Sequence, residues 1–382
     1  MKIAIWGAKK AGIKLFSLIS EEDKSKVVCF FDNDKIKCGE QICGKNVCSF
    51  EDFKKQSIFE IDTILITARN ADSVMEILEQ IGENESLNVG IVKLSALDYG
   101  QNISVSKLDK NVWWVSDIKK PVFWYLQAIL IKSCNLNCKG CSHFANLHNF
   151  SDEDNIYNIE QYKHDIDILA ANTEIFRLRI LGGEPLLLNN LDQYIIYTRN
   201  KLPNTDIRLV TNALLFLKVS KQILESIYAN DIGIEISPYP PTLKMIDKII
   251  KILDEYNIKY SFNGYELNDV SIQKFSKIID LSGKCNPFLS MKNCFSRGCR
   301  TIFDGNLYKC PIDFLISKLF NYFSLGEIEN TPISIQNEDL DWENIILSLF
   351  KLPVETCKFC SQNLQEFEWN IENTPQLSDW II

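Results

Sequence analysis

Short apolar runs alternate with amphipathic stretches over the first hundred residues. Lys2–Trp6, Val27–Phe31, Thr63–Thr67 and Val89–Val92 are apolar runs of strand length. Helical spacing follows Gly7-Ala8-Lys9-Lys10-Ala11-Gly12 as far as about Ser20, and returns between Asp72 and Gly82. Strands and helices in alternation, with short connections, predict a parallel sheet covered on both faces. The rhythm lapses in residues 101–125, where Trp113, Trp114, Phe123 and Trp124 predict a linker that buries aromatic surface. It resumes over 126–284. Ala128–Lys132, Phe176–Leu181, Asp206–Val210, Ile232–Ile236 and Ile258–Phe262 are the expected strands, and Glu160–Ala171 is an expected helix. Five or six such units predict an open, partial (β/α)6 barrel, with ligands at the carboxyl ends of its strands. Residues 285–382 lose the alternation but contain a hairpin signal, with Arg300–Phe303 and Asn306–Lys309 flanking Asp304-Gly305 in a type I′ turn. The chain is thus read as α/β, with a small Rossmann-like domain at 1–100, a linker, a barrel at 126–284 and a last domain at 285–382.

Length and charge narrow the function. At 382 residues the chain exceeds one ordinary core. The net charge of −9 argues against DNA or RNA as the main partner, because neutralising phosphates takes a basic surface. Met1 leads straight into a strand-like run, and no apolar stretch is long enough to span a bilayer, so a cytoplasmic protein with no membrane partner is expected. In a reducing compartment thirteen cysteines point to metal ligation over disulfides. They are unevenly spread, with four before residue 50, three at 134–141 and six after 284.

Cys134, Cys138 and Cys141 stand in the run Cys-Asn-Leu-Asn-Cys-Lys-Gly-Cys. Three thiolates do not complete a four-cysteine site, but they suit three irons of a 4Fe–4S cube and leave the fourth iron open to a small molecule. A zinc site completed by His143 or His148 is the competing reading.

The CxxxCxxC run resembles the signature of radical S-adenosylmethionine (SAM) enzymes. The resemblance implies that SAM chelates the open iron and that its cleavage yields a 5′-deoxyadenosyl radical. Gly182-Gly183-Glu184-Pro185 resembles the GGEP motif of that superfamily, which contacts the SAM amino group. Two glycines expose backbone carbonyls there, Glu184 adds negative charge, and Pro185 stiffens the turn. Thr211-Asn212 resembles the TNG position, with Ala213 in place of the usual glycine, and Ser237 resembles a strand-end serine that meets the SAM ribose or carboxylate. The residue before the last cysteine is commonly aromatic and stacks near adenine; here it is Gly140, so Phe144 or His143 is expected to take that part.

At the other end, Cys294-x10-Gly305-x4-Cys310 followed by Cys357-x2-Cys360 resembles the SPASM/twitch extensions of radical SAM enzymes, which implies one auxiliary 4Fe–4S cluster on those four cysteines. Cys299 competes with Cys294, since the expected hairpin register sets it across from Cys310, close enough for a disulfide or a shared metal. Cys285 is an outsider, and a structural zinc ribbon is the alternative.

The stretches IWGAKKAG, VVCFFDND and Gly39…Ile42-Cys43-Gly44-Lys45-Asn46-Val47 resemble the Rossmann-like N-terminal domain of sugar acyltransferases. That implies a ligand pocket at Gly7, Lys9, Gly12 and Asp32. As a dinucleotide fingerprint the run is weak, because Lys9 holds the place of the middle glycine. A docking domain with an empty crevice is the alternative.

Together these resemblances imply an enzyme that oxidises or epimerises a sugar, nucleotide-sugar or glycan precursor, reduced by a flavodoxin- or ferredoxin-type donor. Arg297, Glu235 and Tyr239 are the candidates for acid–base work near the barrel mouth. A radical SAM maturase of ribosomal peptides and a non-catalytic iron–sulfur or zinc protein are the rival readings.

Overall fold

The computed structural model describes residues 1–56, 60–82, 87–100, 102–104, 108, 110–263, 269, 273–294 and 296–382. The chain divides into two compact units, Met1–Lys120 and Pro121–Ile382.

In the first unit β1 (Ile3–Trp6), β2 (Val27–Phe31), β3 (Gln41–Ile42), β4 (Lys45–Cys48), β5 (Thr63–Ile66), β6 (Asn88–Val92) and β7 (Val112–Trp114) form a seven-stranded sheet ordered β3-β4-β2-β1-β5-β6-β7. The four neighbours β2, β1, β5 and β6 run parallel, as the alternating pattern predicts, and β4 is parallel to β2. β3 and β7 are antiparallel edges. Trp113 and Trp114, expected in a linker, belong to β7 and extend this sheet beside β6.

The second unit is built on an eight-stranded sheet. Its strands β9 (Leu126–Ile131), β11 (Arg177–Gly182), β12 (Asp206–Thr211), β13 (Gly233–Ile236) and β14 (Tyr260–Ser261) are consecutive and parallel. β8 (Val122–Phe123) and β10 (Glu174–Ile175) pair separately. β15 (Lys274–Ile279) pairs antiparallel with β19 (Cys360–Glu368). On the far side of β9 lies β16 (Thr301–Phe303), also parallel to it, followed by β17 (Asn306–Tyr308) and β18 (Ile333–Ser334). The C-terminal segment therefore supplies the barrel's sixth parallel strand. The β16–β17 turn has Asp304 at φ 47° and Gly305 at φ 72°, the positive pair that a type I′ turn requires. The ladder ends at Thr301 opposite Tyr308, and the chain diverges beyond it.

Charges fill the barrel between β11, β12 and β13. Arg177 Nε lies 3.2 Å from Asp206, whose carboxylate also accepts from Arg208 at 3.0 Å. Arg208 reaches Glu235 at 3.4 Å, and Glu235 meets Arg179 Nε at 2.5 Å. The signs alternate along this ladder, so each buried charge has an opposite neighbour. Glu235, expected as an acid–base candidate, is held between two guanidiniums, buried, and no part of the cavity described below. Its role is corrected to a structural one. Glu235→Ala is expected to destabilise the barrel unit by about 3–5 kcal/mol, the cost of leaving buried charge unpaired. Thermal melting of the apoprotein checks this; an unchanged melt contradicts it.

Candidate functional site: two cysteine centres in one unit

The loop after β9 carries the three clustered cysteines. Its start is fixed by a very close backbone approach. Gly183 N–H donates to Ile131 O at 2.7 Å and Glu184 N–H to Ser133 O at 3.1 Å. A Cβ on Gly182 would stand 2.1 Å from Ile131 O, and one on Gly183 would stand 2.0 Å from Ser133 O. Only glycine permits this contact, so the two glycines set where the cysteine loop leaves the sheet.

The loop's other side is strapped by the C-terminal tail. Lys139 N–H donates to Asn370 O at 2.9 Å, Glu372 N–H to Asn137 O at 2.8 Å, and the Trp380 indole to Cys141 O at 2.8 Å. The tail also explains Gly140, which has φ 62° and sits where a Cβ would meet Phe367 Cζ and Asp379 O at 2.7 Å. Phe367, from β19, fills the space an aromatic at 140 would need. Phe144 is fully buried 6.0 Å from the Trp380 ring and does not line the cavity, so its expected adenine contact is corrected to a packing role. His143 does line it, with Nδ1 3.0 Å from Gly182 O.

Cys134, Cys138 and Cys141 open onto a cavity of about 480 Å³ at the carboxyl ends of the strands. Gly182, Gly183, Asn212, Ser237 and Tyr239 line the same space. Asn212 Nδ2 donates to Asn135 Oδ1 at 2.8 Å and lies 3.8 Å from Cys134 Sγ. Ala213 adopts φ 65°, the conformation for which a glycine is favoured. Tyr239 stacks on Trp369 at 5.8 Å, and burial raises its phenol well above the usual range, which makes it a poor base.

The donor set fits an iron–sulfur cluster. Burial pushes the Cys138 thiol up to about 12 and raises Cys134 and Cys141 as well, so without a metal all three stay protonated at neutral pH. Metal coordination would deprotonate them. The buried Trp369 indole N–H, otherwise without a partner, lies beside Cys138. Among the described residues no three His, Cys, Asp or Glu side chains converge on a single-ion position, and a cube places each thiolate on a different iron.

Glu184 does something other than expected. It is fully buried and faces away from the cavity lining. Its carboxylate accepts from Thr211 Oγ1 at 2.7 Å, Asn212 N–H at 2.9 Å and Leu186 N–H at 3.1 Å. It braces the ends of β11 and β12 together and is absent from the cavity lining, where it was expected to add negative charge. Pro185 is buried at the start of the following turn.

The second centre lies in the C-terminal segment. Cys294, Cys310, Cys357 and Cys360 line one small pocket with Lys309, Arg297 and Asp313. All four thiols are raised by burial. Lys309, lowered to about 8 by burial, brings a positive charge to them, which favours anionic sulfur. Arg297, expected at the barrel mouth, belongs to this pocket. Cys299 does not line it. Because the hairpin ladder stops at Thr301, Cys310 turns away to cap the helix Pro311–Tyr322, and Cys299 faces the large cavity. The expected cross-strand pairing of Cys299 with Cys310 is therefore absent. Cys285 lies beside Asp280 at 3.4 Å, outside both linings. The thirteen cysteines are all free thiols.

The large cavity holds residues the motifs did not announce. Gln127 of β9, Arg179 of β11 and Asn263 line it. Arg179 donates to Asn263 Oδ1 at 2.7 Å and to the Tyr125 hydroxyl. The sequence signal was a polar residue inside an otherwise apolar strand, which must face the barrel interior. Gly264, next to Asn263, lies outside the described residues.

In the first unit Asp32 accepts from Ala8 N–H at 2.7 Å and from Asp34 N–H at 2.9 Å, and Lys9 pairs with Asp34 at 3.1 Å. A Cβ on Gly12 would stand 1.8 Å from Gly7 O, and one on Gly7 would stand 2.5 Å from Thr67 Oγ1. The four expected pocket residues thus build a tight turn whose own polar groups are already committed to one another.

The family described as a 4Fe-4S single cluster domain matches residues 126–237, and that described as C2185-like, N-terminal matches residues 1–89. Among curated relatives, a GTP 3′,8-cyclase of Helicobacter pylori is 27% identical over 37% of this chain and 42% of its own length. An uncharacterized protein of Methanocaldococcus jannaschii is 33% identical over 35% of this chain and 50% of its own length. The chain thus spans half or less of either relative. Among solved structures, BtrN in complex with AdoMet and 2-DOIA is 14% identical, with a TM-score of 0.38 over 69% of this chain and all of that one. No helix among the described residues is long and apolar enough to cross a membrane.

Burial pushes the Glu184 carboxyl up to about 7 from 4.5. Its contribution to stability is fully present below pH 4.5 and is lost as pH rises through about 7, because the folded chain keeps a proton that the unfolded chain has released. Melting curves of apoprotein at pH 5 and pH 8 are expected to show a larger drop for the parent chain than for Glu184→Gln. The variant should also melt lower at pH 5, since its amide faces the Asn212 N–H at the cost of roughly 1–3 kcal/mol. Equal pH slopes contradict the brace.

Proposed function

The Pro121–Ile382 unit belongs to the radical SAM superfamily, and from that premise we propose that the chain oxidises or epimerises a sugar, nucleotide-sugar or glycan precursor. When bound, a 4Fe–4S cluster with SAM on its open iron supplies a 5′-deoxyadenosyl radical that takes a hydrogen atom from an unactivated carbon. Cys134, Cys138 and Cys141 would hold that cluster. Gly182 and Gly183 offer carbonyl acceptors for an ammonium group, and Asn212 and Ser237 bound the space beside them. Cys294, Cys310, Cys357 and Cys360 would hold an auxiliary cluster next to the Lys309 ammonium. A flavodoxin- or ferredoxin-type protein is the proposed electron source.

One observation carries the substrate class. The cavity lining away from the cysteine loop includes Gln127, whose buried carbonyl oxygen Oε1 has no hydrogen-bond partner. Together with the Arg179 guanidinium and Asn263, it suits a ligand with several hydroxyl groups, each able to donate and accept. The resemblance of IWGAKKAG, VVCFFDND and Gly39…Val47 to the N-terminal domain of sugar acyltransferases supports the same class.

Anaerobically reconstituted protein, given SAM, dithionite and a panel of nucleotide-linked hexoses, is expected to form 5′-deoxyadenosine faster with at least one of them. The same release rate with every sugar as with none contradicts the substrate class.

A further inference from the structure

Two buried cations accompany the C-terminal cysteine pocket. Lys309 stands directly before Cys310 and lines the pocket, and the fully buried Arg300 lies close enough to repel it. The last turn of one helix, Trp342–Lys351, holds both. Lys309 Nζ donates to the Leu349 carbonyl, and the Arg300 guanidinium carbon sits 4.2 Å over the Phe350 ring. Arg300 also donates to the carbonyls of Arg297 at 2.7 Å and Cys299 at 3.1 Å. These three acceptors are backbone carbonyls, which orient a cation without neutralising it. The barrel sheet holds the same residue from behind, since Gln127 N–H donates to Arg300 O at 2.7 Å. Burial raises the thiols of Cys294 and Cys299, and the Arg300 charge opposes that rise at both. Asp313 also lines the pocket, but its oxygens already accept from Lys309 N–H at 3.1 Å and Thr356 Oγ1 at 2.7 Å, and burial disfavours its charge. Like charges buried side by side are costly unless an anion joins them. Four thiolates around an iron–sulfur cube bring that negative charge.

Resting on the auxiliary-cluster reading above, we propose that Arg300 and Lys309 are positioning residues that form the fixed counter-charge of the C-terminal centre and ease its one-electron reduction. Reduction adds one electron to a centre that is already anionic, and no bond forms or breaks. A positive charge held nearby stabilises the added charge, which raises the potential at which the electron enters. The electron comes from dithionite in vitro, or from a donor of the flavodoxin or ferredoxin class. Arg300 is the firmer of the two, because a guanidinium keeps its proton throughout the working range of a protein. Lysine at the same place supplies the charge without the planar fork, so it separates charge from shape.

The test uses the full chain with Cys134, Cys138 and Cys141 all replaced by alanine, so that only the C-terminal centre is left, with about four irons per chain. After anaerobic reconstitution its midpoint potential is read by electron paramagnetic resonance during stepwise reduction with dithionite. Arg300→Gln, Arg300→Lys and Lys309→Met are then measured in that background, with iron counted in each. Arg300→Gln and Lys309→Met are each expected to keep their iron and to shift the one-electron equilibrium at least tenfold toward the oxidised form, about 59 mV more negative. Arg300→Lys should stay within about threefold of the background chain, about 30 mV by the same constant. An unmoved midpoint in Arg300→Gln overturns the proposal, and so does an Arg300→Lys shift as large as that of Arg300→Gln, which would make shape the requirement. If Arg300→Gln loses its iron, an Arg300→Lys chain that keeps both iron and midpoint supports the role of the charge, and one that loses iron as well overturns it. A background chain that binds no iron overturns the auxiliary-cluster reading and this proposal together.

Discussion

The barrel site depends on two backbone segments lying closer than side chains allow. Ile131–Ser133, at the end of β9, touches Gly182 and Gly183, at the end of β11, with room for hydrogen atoms and nothing larger. That contact sets the exit direction of the loop that carries Cys134, Cys138 and Cys141. Glu184 locks it from behind by bonding the start of the segment after β12, and the C-terminal tail locks it from the front. Three thiols held this way face a cavity with their burial uncompensated, a state that metal coordination relieves.

The two cysteine centres share a piece of chain. β19 begins at Cys360, in the C-terminal pocket, and passes directly into Trp369–Glu372, which pairs with the loop holding Cys138. β16, from the same C-terminal segment, pairs with β9. The C-terminal segment is therefore part of the barrel's construction.

Much of this was legible in the sequence, for local reasons. Apolar runs located the parallel strands to within a few residues, the Asp304-Gly305 pair dictated the hairpin register, and motif spacing singled out the two sets of cysteines that the fold gathers. What was not legible was long-range. The hairpin arithmetic extended a ladder past Thr301, where the strands part, so Cys299 and Cys310 were paired wrongly. Glu235 read as a candidate acid because the sequence does not show that Arg179 and Arg208 flank it from two neighbouring strands. Phe144 was moved from ligand to core by Trp380, more than two hundred residues away. Gln127 and Arg179 had a signal, a polar residue in a buried strand, but no motif to give it weight. In the first unit the glycine turn was legible, but not that Asp32 already satisfies the Ala8 N–H.

Iron-edge anomalous diffraction from anaerobically grown crystals tests the central claim most directly. The account predicts two separate iron clusters: one bound by Cys134, Cys138 and Cys141 with one iron lacking a protein ligand, the other ringed by Cys294, Cys310, Cys357 and Cys360. A zinc ion at the first site, or a fourth side chain closing it, would contradict the account.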